Sequence, residues 1–203
     1  MPHKVKDRKL PMKLPSWTNQ NVVLFHGTTL DRLSDYALAE GEVIEDFNVD
    51  LSRSRSLTDF GRGFYTTTIE TQAEDWASSL TVRSSYGRRP VRTKPVVLEF
   101  SVDRDELSKL DSLAFVWGHL DLRSFVETCR TSADSHNRSN GHQFFDIVYG
   151  PLTRYPERKV DEDRDQISVH TVEGVKCLGL PIVKSIGLRR GKRFDDGWKG
   201  WTN

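Results

Sequence analysis

Short apolar runs alternate with polar stretches along this chain, and the runs have the length of β-strands. Their apolar, aromatic and β-branched residues are bounded by turn-forming residues, so each run predicts a strand. The predicted strands cover residues 21–29, 63–68, 95–102, 144–152, 166–171 and 179–188. They do not alternate strictly with helices, so the pattern predicts an α+β fold rather than a doubly wound sheet.

The segment after residue 70 has the signals of a helix start and of a helix face. Thr71 and Glu74 have the spacing of a capping box, with Thr71 as N-cap. A short helix is also predicted over residues 34–42, where Gly41 ends it. Two helix faces repeat apolar residues at helical spacing: Ala73, Trp76, Ala77 and Leu80, and then Leu122, Phe125, Val126 and Cys129.

Polar segments between these elements predict loops. Residues 48–63 and 132–142 are polar and irregular, and residues 156–165 are highly charged. The dipeptide Gly150-Pro151 predicts the end of the strand that precedes it.

The composition indicates one domain with charged ends. The net charge is +1 over 203 residues, but both ends are basic. We expect a poorly ordered N-terminal arm over residues 1–20, a core domain over 21–188 and a C-terminal tail over 189–203. Such ends are typical of solvated tails, and contact with nucleic acid is the alternative.

Cysteine usage and hydropathy bear on the compartment. Cys129 and Cys177 lie far apart and do not form a disulfide framework, which fits a reducing environment. The chain shows no secretory signal pattern and no long apolar run. We expect a cytoplasmic protein, or one delivered into a target cell's cytosol without such a signal, and no membrane partner.

Several local motifs lack the rest of the pattern that their chemistry needs. Asp59-Phe60-Gly61 matches a kinase motif, but no strand lysine or His-Arg-Asp loop accompanies it. Gly61-Arg62-Gly63 is too short for a phosphate-binding loop and indicates a turn. Cys129 lies on an apolar helix face, which favours a core thiol over a nucleophile. We expect no metal and mostly exposed histidines, because zinc-type spacing is absent at His119, His136 and His142.

Two aromatic residues and a histidine carry more specific chemistry. If the helix after Tyr65 folds back over its strand, Trp76 approaches Tyr65 and the rings form a slot of ~7 Å for a flat heterocycle. A flat cation such as oxidised nicotinamide gains further attraction from aromatic faces. Gly27 would then expose backbone N–H and C=O groups to the carboxamide, and His26 would bind the adjoining ribose. Ordinary core packing of both rings is the alternative.

These residues also form an ordered pattern. His26-Gly27-Thr28 lies on the first predicted strand, Gly61–Tyr65 reads GxGxY, and Trp76 follows Tyr65 by eleven residues. The pattern resembles the His–Tyr branch of the ADP-ribosyltransferase superfamily, which diphtheria-like toxins and poly(ADP-ribose) polymerases share. With "QAEDWA", "FDIVYGP" and "DQISVHT", the chain most closely resembles an uncharacterised, mainly bacterial family of that superfamily, over about residues 22–186.

The resemblance implies a split half-barrel in which two small sheets clasp NAD as a substrate. It implies that His26 binds the nicotinamide ribose, that Gly27 binds the carboxamide and that Tyr65 stacks on nicotinamide. It also implies that Trp76 takes the place of the second aromatic residue. The remaining residues implied to contact NAD are Thr28, Gly63 and Thr66.

The chain departs from the family's pattern at the third catalytic position. Active members carry Glu on a late strand, where this chain has Gln166. Because strand side chains alternate, Asp165 would take the position only after a register shift of one residue. Loss of nicotinamide leaves an oxocarbenium-like ribose, and a missing electrostatic group in such a site can cost ~3 kcal/mol.

We therefore expect a mono-ADP-ribosyltransferase, acting as a toxin, effector or defence protein. It would use His26, Tyr65 and Gln166 to cleave NAD and attach ADP-ribose to a macromolecular acceptor, most naturally a protein. The loop over residues 49–62 would cover the site and help to select the acceptor. The alternatives are a non-catalytic NAD- or ADP-ribose-binding module, and an enzyme that acts on nucleic acid, either an ADP-ribosyltransferase or an RNA 2′-phosphotransferase-like enzyme.

Overall fold

The computed structural model describes residues 20–86, 92–116, 120–132, 136, 143–157 and 159–187. The expected basic tail over 189–203 lies outside the described residues, as does the expected N-terminal arm except for residue 20. Helices and two β-sheets make up the described chain, so the α+β prediction is confirmed.

The strands form one three-stranded and one four-stranded sheet. The first has the order β1-β3-β7 and the second the order β2-β6-β5-β4. All neighbouring strands are antiparallel except β4 and β5, which are parallel. The strand bounds are β1 Val22–Thr29, β2 Phe64–Thr66, β3 Pro95–Val102, β4 Ser112–Ala114, β5 Ile147–Arg154, β6 Lys159–Val169 and β7 Ile182–Ile186.

The helices lie in the connections between strands. Both predicted helices are confirmed, because residues 73–80 fall in a helix over Glu70–Tyr86 and residues 122–129 in a helix over Leu120–Ser132. The α-helices are α1 Glu70–Tyr86, α2 Arg104–Leu107, α3 Leu120–Ser132 and α4 Val172–Leu178, and two 3-10 turns span Leu30–Leu33 and Leu51–Arg53.

Among the described residues, three apolar clusters hold these layers together. The largest joins the two sheets, with side chains such as Leu24, Leu98 and Val169. A second cluster lies on the other face of the four-stranded sheet, where α3 packs against Phe60. A third places Ala73 of α1 against the outer face of the three-stranded sheet. Each sheet therefore has one face in the shared core and the other face covered by a helix.

One isolated bridge joins the edges of the two sheets. Phe25 N–H donates to Thr67 O at 2.7 Å, and Thr67 N–H donates to Phe25 O at 2.9 Å. Thr67 follows β2 directly, so the bridge brings β1 and β2 side by side. After Phe25, the connection between β1 and β2 is made by a side chain and not by a backbone ladder. The His26 side chain contacts the backbone oxygen of Tyr65.

The predicted helix over residues 34–42 is wrong. This segment forms isolated turns rather than a helix after the 3-10 turn before it. Its later backbone groups pair with the β7 region instead, because Gly41 N–H donates to Val183 O at 2.8 Å and Val183 N–H donates to Glu42 O at 2.9 Å. Tertiary pairing has therefore replaced the local helix signal.

The predicted strand end at Gly150-Pro151 is also wrong. β5 continues to Arg154, and its register with β6 shifts between Pro151 and Leu152. Such an irregularity accommodates a residue that lacks an N–H group. The charged stretch predicted as a loop over 156–165 is largely strand, because β6 begins at Lys159. Its charges find partners, as in the Arg154–Asp161 ion pair at 2.9 Å.

Helix α1 does not begin with the predicted capping box. The helix starts at Glu70, so Thr71 is helical and is not the N-cap. The segment before it is held by β6 instead, where Asp165 accepts a hydrogen bond from Thr68 N–H at 3.0 Å and further bonds from the Thr67 and Thr68 hydroxyls.

Gly27 is required by the packing of α1, which generates a test of the fold. A Cβ at Gly27 would overlap Ala73 O of α1, whereas a Cβ at Gly150 would meet side chains at 3.1 and 3.2 Å. Because helix backbone cannot move aside as a side chain can, we expect Gly27→Ala to destabilise the protein by about 1–3 kcal/mol. Gly150→Ala is the matched control, and urea unfolding should show a smaller loss for it. Equal losses would contradict this assignment.

Candidate functional site

The edge of β1 next to β2 presents free backbone groups at Gly27. Antiparallel ladders alternate pairs that exchange hydrogen bonds with pairs that do not. Leu30 N–H donates to Lys94 O at 2.9 Å, and Phe25 bonds to Thr67 rather than to β3. The regular β1–β3 register therefore directs the N–H and C=O of Gly27 away from β3, along the same edge as those of Phe25. Gly27 thus offers one donor and one acceptor where β1 and β2 separate.

His26 spans this separation. Its Nδ1 lies 2.7 Å from Tyr65 O, so Nδ1 carries the proton and donates. Its ring stacks on Phe64, with the centroids 4.3 Å apart. Burial lowers the pKa of His26 to about 4, against the opposing effect of the Tyr65 hydrogen bond, and the nearby charge of Arg32 lowers it further. At neutral pH the imidazole is therefore uncharged, and Nε2 is a hydrogen-bond acceptor.

Tyr65 is held through its hydroxyl by the loop that precedes β2. The hydroxyl accepts from Phe60 N–H at 2.8 Å, donates to Gly61 O at 2.9 Å and lies 2.7 Å from Thr58 Oγ1. Burial raises the pKa of Tyr65 well above its usual value, so it stays protonated. Its ring is nearly parallel to that of Phe60, with the centroids 6.4 Å apart. Any ligand that stacks on Tyr65 must therefore use the opposite face.

Trp76 lies on the flank of α1 rather than on its inward face. Ala73 and Ala77 are buried against β1, whereas Trp76 is half-buried. The Arg83 guanidinium lies over the indole, 5.5 Å from its centroid. One turn before Trp76, Gln72 Nε2 donates to Asp165 O at 2.6 Å, so this flank faces β6 and β2. The folded-back helix places Trp76 on the side of the separation, and its contact with nicotinamide stays a prediction.

The loop over residues 49–62 reaches both sides of this region. Its last residues hold the Tyr65 hydroxyl, and Arg62 Nη1 donates to Ser52 O at 3.0 Å within the loop. Burial lowers the pKa of Arg83 on α1, and the charge of Arg55 in the loop lowers it further. The loop therefore extends from β2 toward α1.

Gln166 is buried, and it shares no hydrogen-bond partner with His26. Its Nε2 donates to Asp59 Oδ2 at 2.9 Å and to Pro151 O at 3.3 Å. The carboxylate of Asp59 also accepts from Arg130 and from Thr153. Asp165 points to α1, where the Thr67 and Thr68 hydroxyls bind it. Side chains alternate along β6, so Gln166 and not Asp165 lies on the face of the sheet that carries the Tyr65 ring.

The smaller predicted contacts have packing roles in this structure. Thr28 is buried on the face of β1 that it shares with His26, and Thr66 Oγ1 donates to Ile167 O at 3.2 Å. Gly63 lies so close to the end of β6 that a Cβ there would be 2.7 Å from Nδ1 of His170, the residue after β6. Their contact with NAD stays a prediction.

Two buried histidines next to the site were not expected from the sequence. His136 and His170 are both 6% exposed, with ring centroids 4.4 Å apart, so the expectation that His136 lies at the surface is wrong. His136 Nδ1 accepts from Phe145 N–H at 3.0 Å, so Nε2 donates to Phe60 O at 2.9 Å. His170 Nδ1 donates to Arg62 O at 2.7 Å. Both imidazoles thus hold carbonyls of the loop that binds Tyr65. His119 and His142 lie outside the described residues.

The other candidate chemistry finds no support in the described residues. Cys129 is buried, and burial raises the pKa of its thiol to about 12, as expected of a core cysteine. No group of three or more His, Cys, Asp or Glu residues in the described ranges is arranged to hold a metal ion. No helix among them has the length and apolar character needed to cross a membrane.

A small surface hollow lies away from the separation of β1 and β2. Its lining includes Val126 of α3 and Thr153 of β5, on the outer side of the four-stranded sheet. None of the residues predicted to bind NAD lines it, so we do not assign the candidate site to it.

Comparison with known proteins gives one match. Residues 23–154 match a family model described as "Protein of unknown function (DUF3990)". Neither a curated protein nor a solved structure matches the chain. The matched residues include β1, the Tyr65 loop, α1 and Asp59, and they end within β5, before Gln166.

The buried His170 predicts how stability depends on pH. Burial lowers its pKa from 6.5 to about 3, and the neighbouring His136 contributes. The unfolded chain therefore binds a proton that the fold excludes, so stability is complete above the unfolded pKa and is lost as pH falls below it. At about pH 5 we expect a loss of about 2 kcal/mol from this imidazole.

The variant His170→Asn isolates this contribution, because an Asn amide can still donate to Arg62 O but does not titrate. Urea unfolding across the acid range should show a shallower pH dependence for the variant than for the native protein. Parallel pH profiles would contradict the assignment.

Proposed function

We propose that this chain, which belongs to the DUF3990 family, binds NAD where β1 and β2 separate and is a mono-ADP-ribosyltransferase with the split fold of that superfamily. The observation that carries the proposal is the geometry at His26: beyond the Phe25–Thr67 bridge, a neutral imidazole and the free backbone groups of Gly27 lie on one strand edge. The order of strands across the two sheets supports the proposal, because this edge forms the junction between them.

The groups at this edge match the nicotinamide end of NAD. A carboxamide has one acceptor and two N–H donors, which complement the N–H and C=O of Gly27. The uncharged His26 accepts a hydrogen bond from a ribose hydroxyl through Nε2. Trp76, on the flank of α1, supplies an aromatic face for a flat cation.

The proposed reaction transfers one ADP-ribose group, and one bond to ribose C1′ breaks while another forms. The bond between ribose C1′ and the nicotinamide nitrogen breaks, and its electron pair leaves with nicotinamide. An acceptor atom bonds to C1′ and loses its proton to solvent or to a neighbouring base. The oxocarbenium-like transition state would be next to His26 and Gln166, which bind hydroxyls rather than supply charge.

A non-catalytic NAD- or ADP-ribose-binding module is the second candidate. The observation that favours it is the environment of Gln166, a neutral amide whose Nε2 is bonded to a carboxylate that also pairs with Arg130. Such a site lacks a free negative charge next to C1′, which lowers the stabilisation of a cationic transition state.

Incubation of the purified chain with adenylate-labelled NAD separates these functions. A transferase releases nicotinamide and passes label to an acceptor, whereas a binding module shows saturable binding alone. Label that resists protease and is released by nuclease would identify a nucleic-acid acceptor. Neither binding nor nicotinamide release would contradict the proposal.

His26→Asn tests the imidazole directly. The Asn amide can still donate to Tyr65 O, but it lacks the acceptor at the Nε2 position. We expect NAD affinity or the rate of nicotinamide release to fall about five- to tenfold, the value of one hydrogen bond. Asp161→Asn, which removes an ion pair at the end of β6 that does not pair with β2, is the control and should bind NAD as the native chain does. Equal effects of both substitutions would point to a structural role for His26.

Trp76→Ala tests the aromatic face with two ligands. We expect NAD binding to weaken about tenfold, as for the loss of one stacking contact with a cationic ring. Binding of ADP-ribose, which lacks nicotinamide, should change much less, and Trp76→Phe should retain most of the NAD affinity. Calorimetric titration measures the affinity of the native chain and of both variants for each ligand. A parallel loss for both ligands would exclude contact between Trp76 and nicotinamide.

A further inference from the structure

Asp59 is a buried carboxylate with five hydrogen bonds. Its Oδ1 accepts from Arg130 Nε at 2.9 Å and from Arg130 Nη2 at 2.5 Å. Its Oδ2 accepts from Thr153 Oγ1 at 2.6 Å, from Thr153 N–H at 3.3 Å and from Gln166 Nε2 at 2.9 Å. The side chain is 3% exposed. Because buried charges must be bonded, this network fixes the positions of all its members.

The network determines which way the Gln166 amide points. Asp59 Oδ2 and Pro151 O are both acceptors, so the atom between them must be the nitrogen. Pro151 lies on β5, and β6 has β2 on its other side. Oε1 is therefore the amide atom that faces neither the Asp59 carboxylate nor the Pro151 carbonyl. Within the described residues no protein group donates to Oε1, and this atom is not sealed from solvent.

The same network explains why this chain carries Gln rather than Glu at position 166. A glutamate there would place a second carboxylate against Asp59 Oδ2 and the Pro151 carbonyl oxygen. Two carboxylates in contact cannot both ionise, so one must take up a proton. An amide satisfies both acceptors and keeps a free carbonyl oxygen. The Asp59 carboxylate and the Gln166 amide are therefore complementary.

Neighbouring residues of the same loop hold Tyr65. Thr58, Phe60 and Gly61 contact the Tyr65 hydroxyl, on either side of the residue that binds Gln166. The negative charge of Asp59 also raises the pKa of Tyr65, after the larger effect of burial. The segment Thr58–Gly61 thus sets the positions of Tyr65 and Gln166 together.

We propose that Asp59 is a positioning residue that orients the Gln166 amide so that Oε1 accepts a hydrogen bond from a hydroxyl of the nicotinamide ribose. This inference rests on the proposed function. It assigns the loop carboxylate and the strand amide, as a pair, to the position that a single strand glutamate takes in active transferases.

Four proteins test the pair: the native chain, Asp59→Asn, Gln166→Glu and the double variant, which exchanges the two groups and conserves the charge of the cluster. Asp161→Asn is the matched control, because it neutralises a less buried carboxylate on the β5–β6 hairpin that carries Thr153 and Gln166. Denaturation midpoints should fall in both single variants, and the double variant should recover most of the loss, as groups in direct contact do not act additively. Additive midpoint losses would overturn the pairing.

Nicotinamide release distinguishes positioning from mere stability. At temperatures where every variant is folded, we expect kcat to fall at least about tenfold in Asp59→Asn with a smaller change in KM, and to rise again in the double variant. Asp161→Asn should keep the native kcat. An unchanged kcat in Asp59→Asn would overturn the inference while the proposed function stands. A native chain that neither binds NAD nor releases nicotinamide would overturn both.

Discussion

The paired hydrogen bonds between Phe25 and Thr67 are the constraint on which the candidate site depends. They hold the two sheets edge to edge at an isolated bridge. The side chain of His26 takes over the connection at the next residue of β1, which keeps the strands apart. A continuous ladder would have used the backbone groups of Gly27 for pairing with β2. The interruption leaves these groups directed into the separation, where a ligand can use them.

The loop before β2 converts this geometry into an ordered site. Its segment Thr58–Gly61 binds the Tyr65 hydroxyl and the Gln166 amide, and buried groups from three directions hold this segment and the adjacent Arg62. Arg130 of α3 binds Asp59, while His136 and His170 bind the carbonyls of Phe60 and Arg62. Residues far apart in sequence therefore fix one short segment, and preorganisation of this kind is what catalysis and tight binding require.

The sequence predicts most of the strands because buried strands are continuous apolar runs. Pro95–Val102 and the β1 strand follow directly from this signal. The charged start of β6 could not be predicted, because its stability comes from partners such as Arg154 and Asp75, which only the fold brings near. The burial of His136 was hidden for the same reason: its ring is satisfied by Phe60 O, a distant backbone carbonyl. The Asp59–Gln166 contact has no local signature, because the two residues are 107 positions apart.

The most direct test of the central claim is the backbone amide signal of Gly27 in ¹⁵N-labelled protein during titration with NAD. Binding at the separation of β1 and β2 predicts a saturable shift of the Gly27 amide, with little shift on titration with ADP-ribose, which has no carboxamide. Saturable binding of NAD that leaves the Gly27 amide unmoved would place the ligand elsewhere and contradict this account.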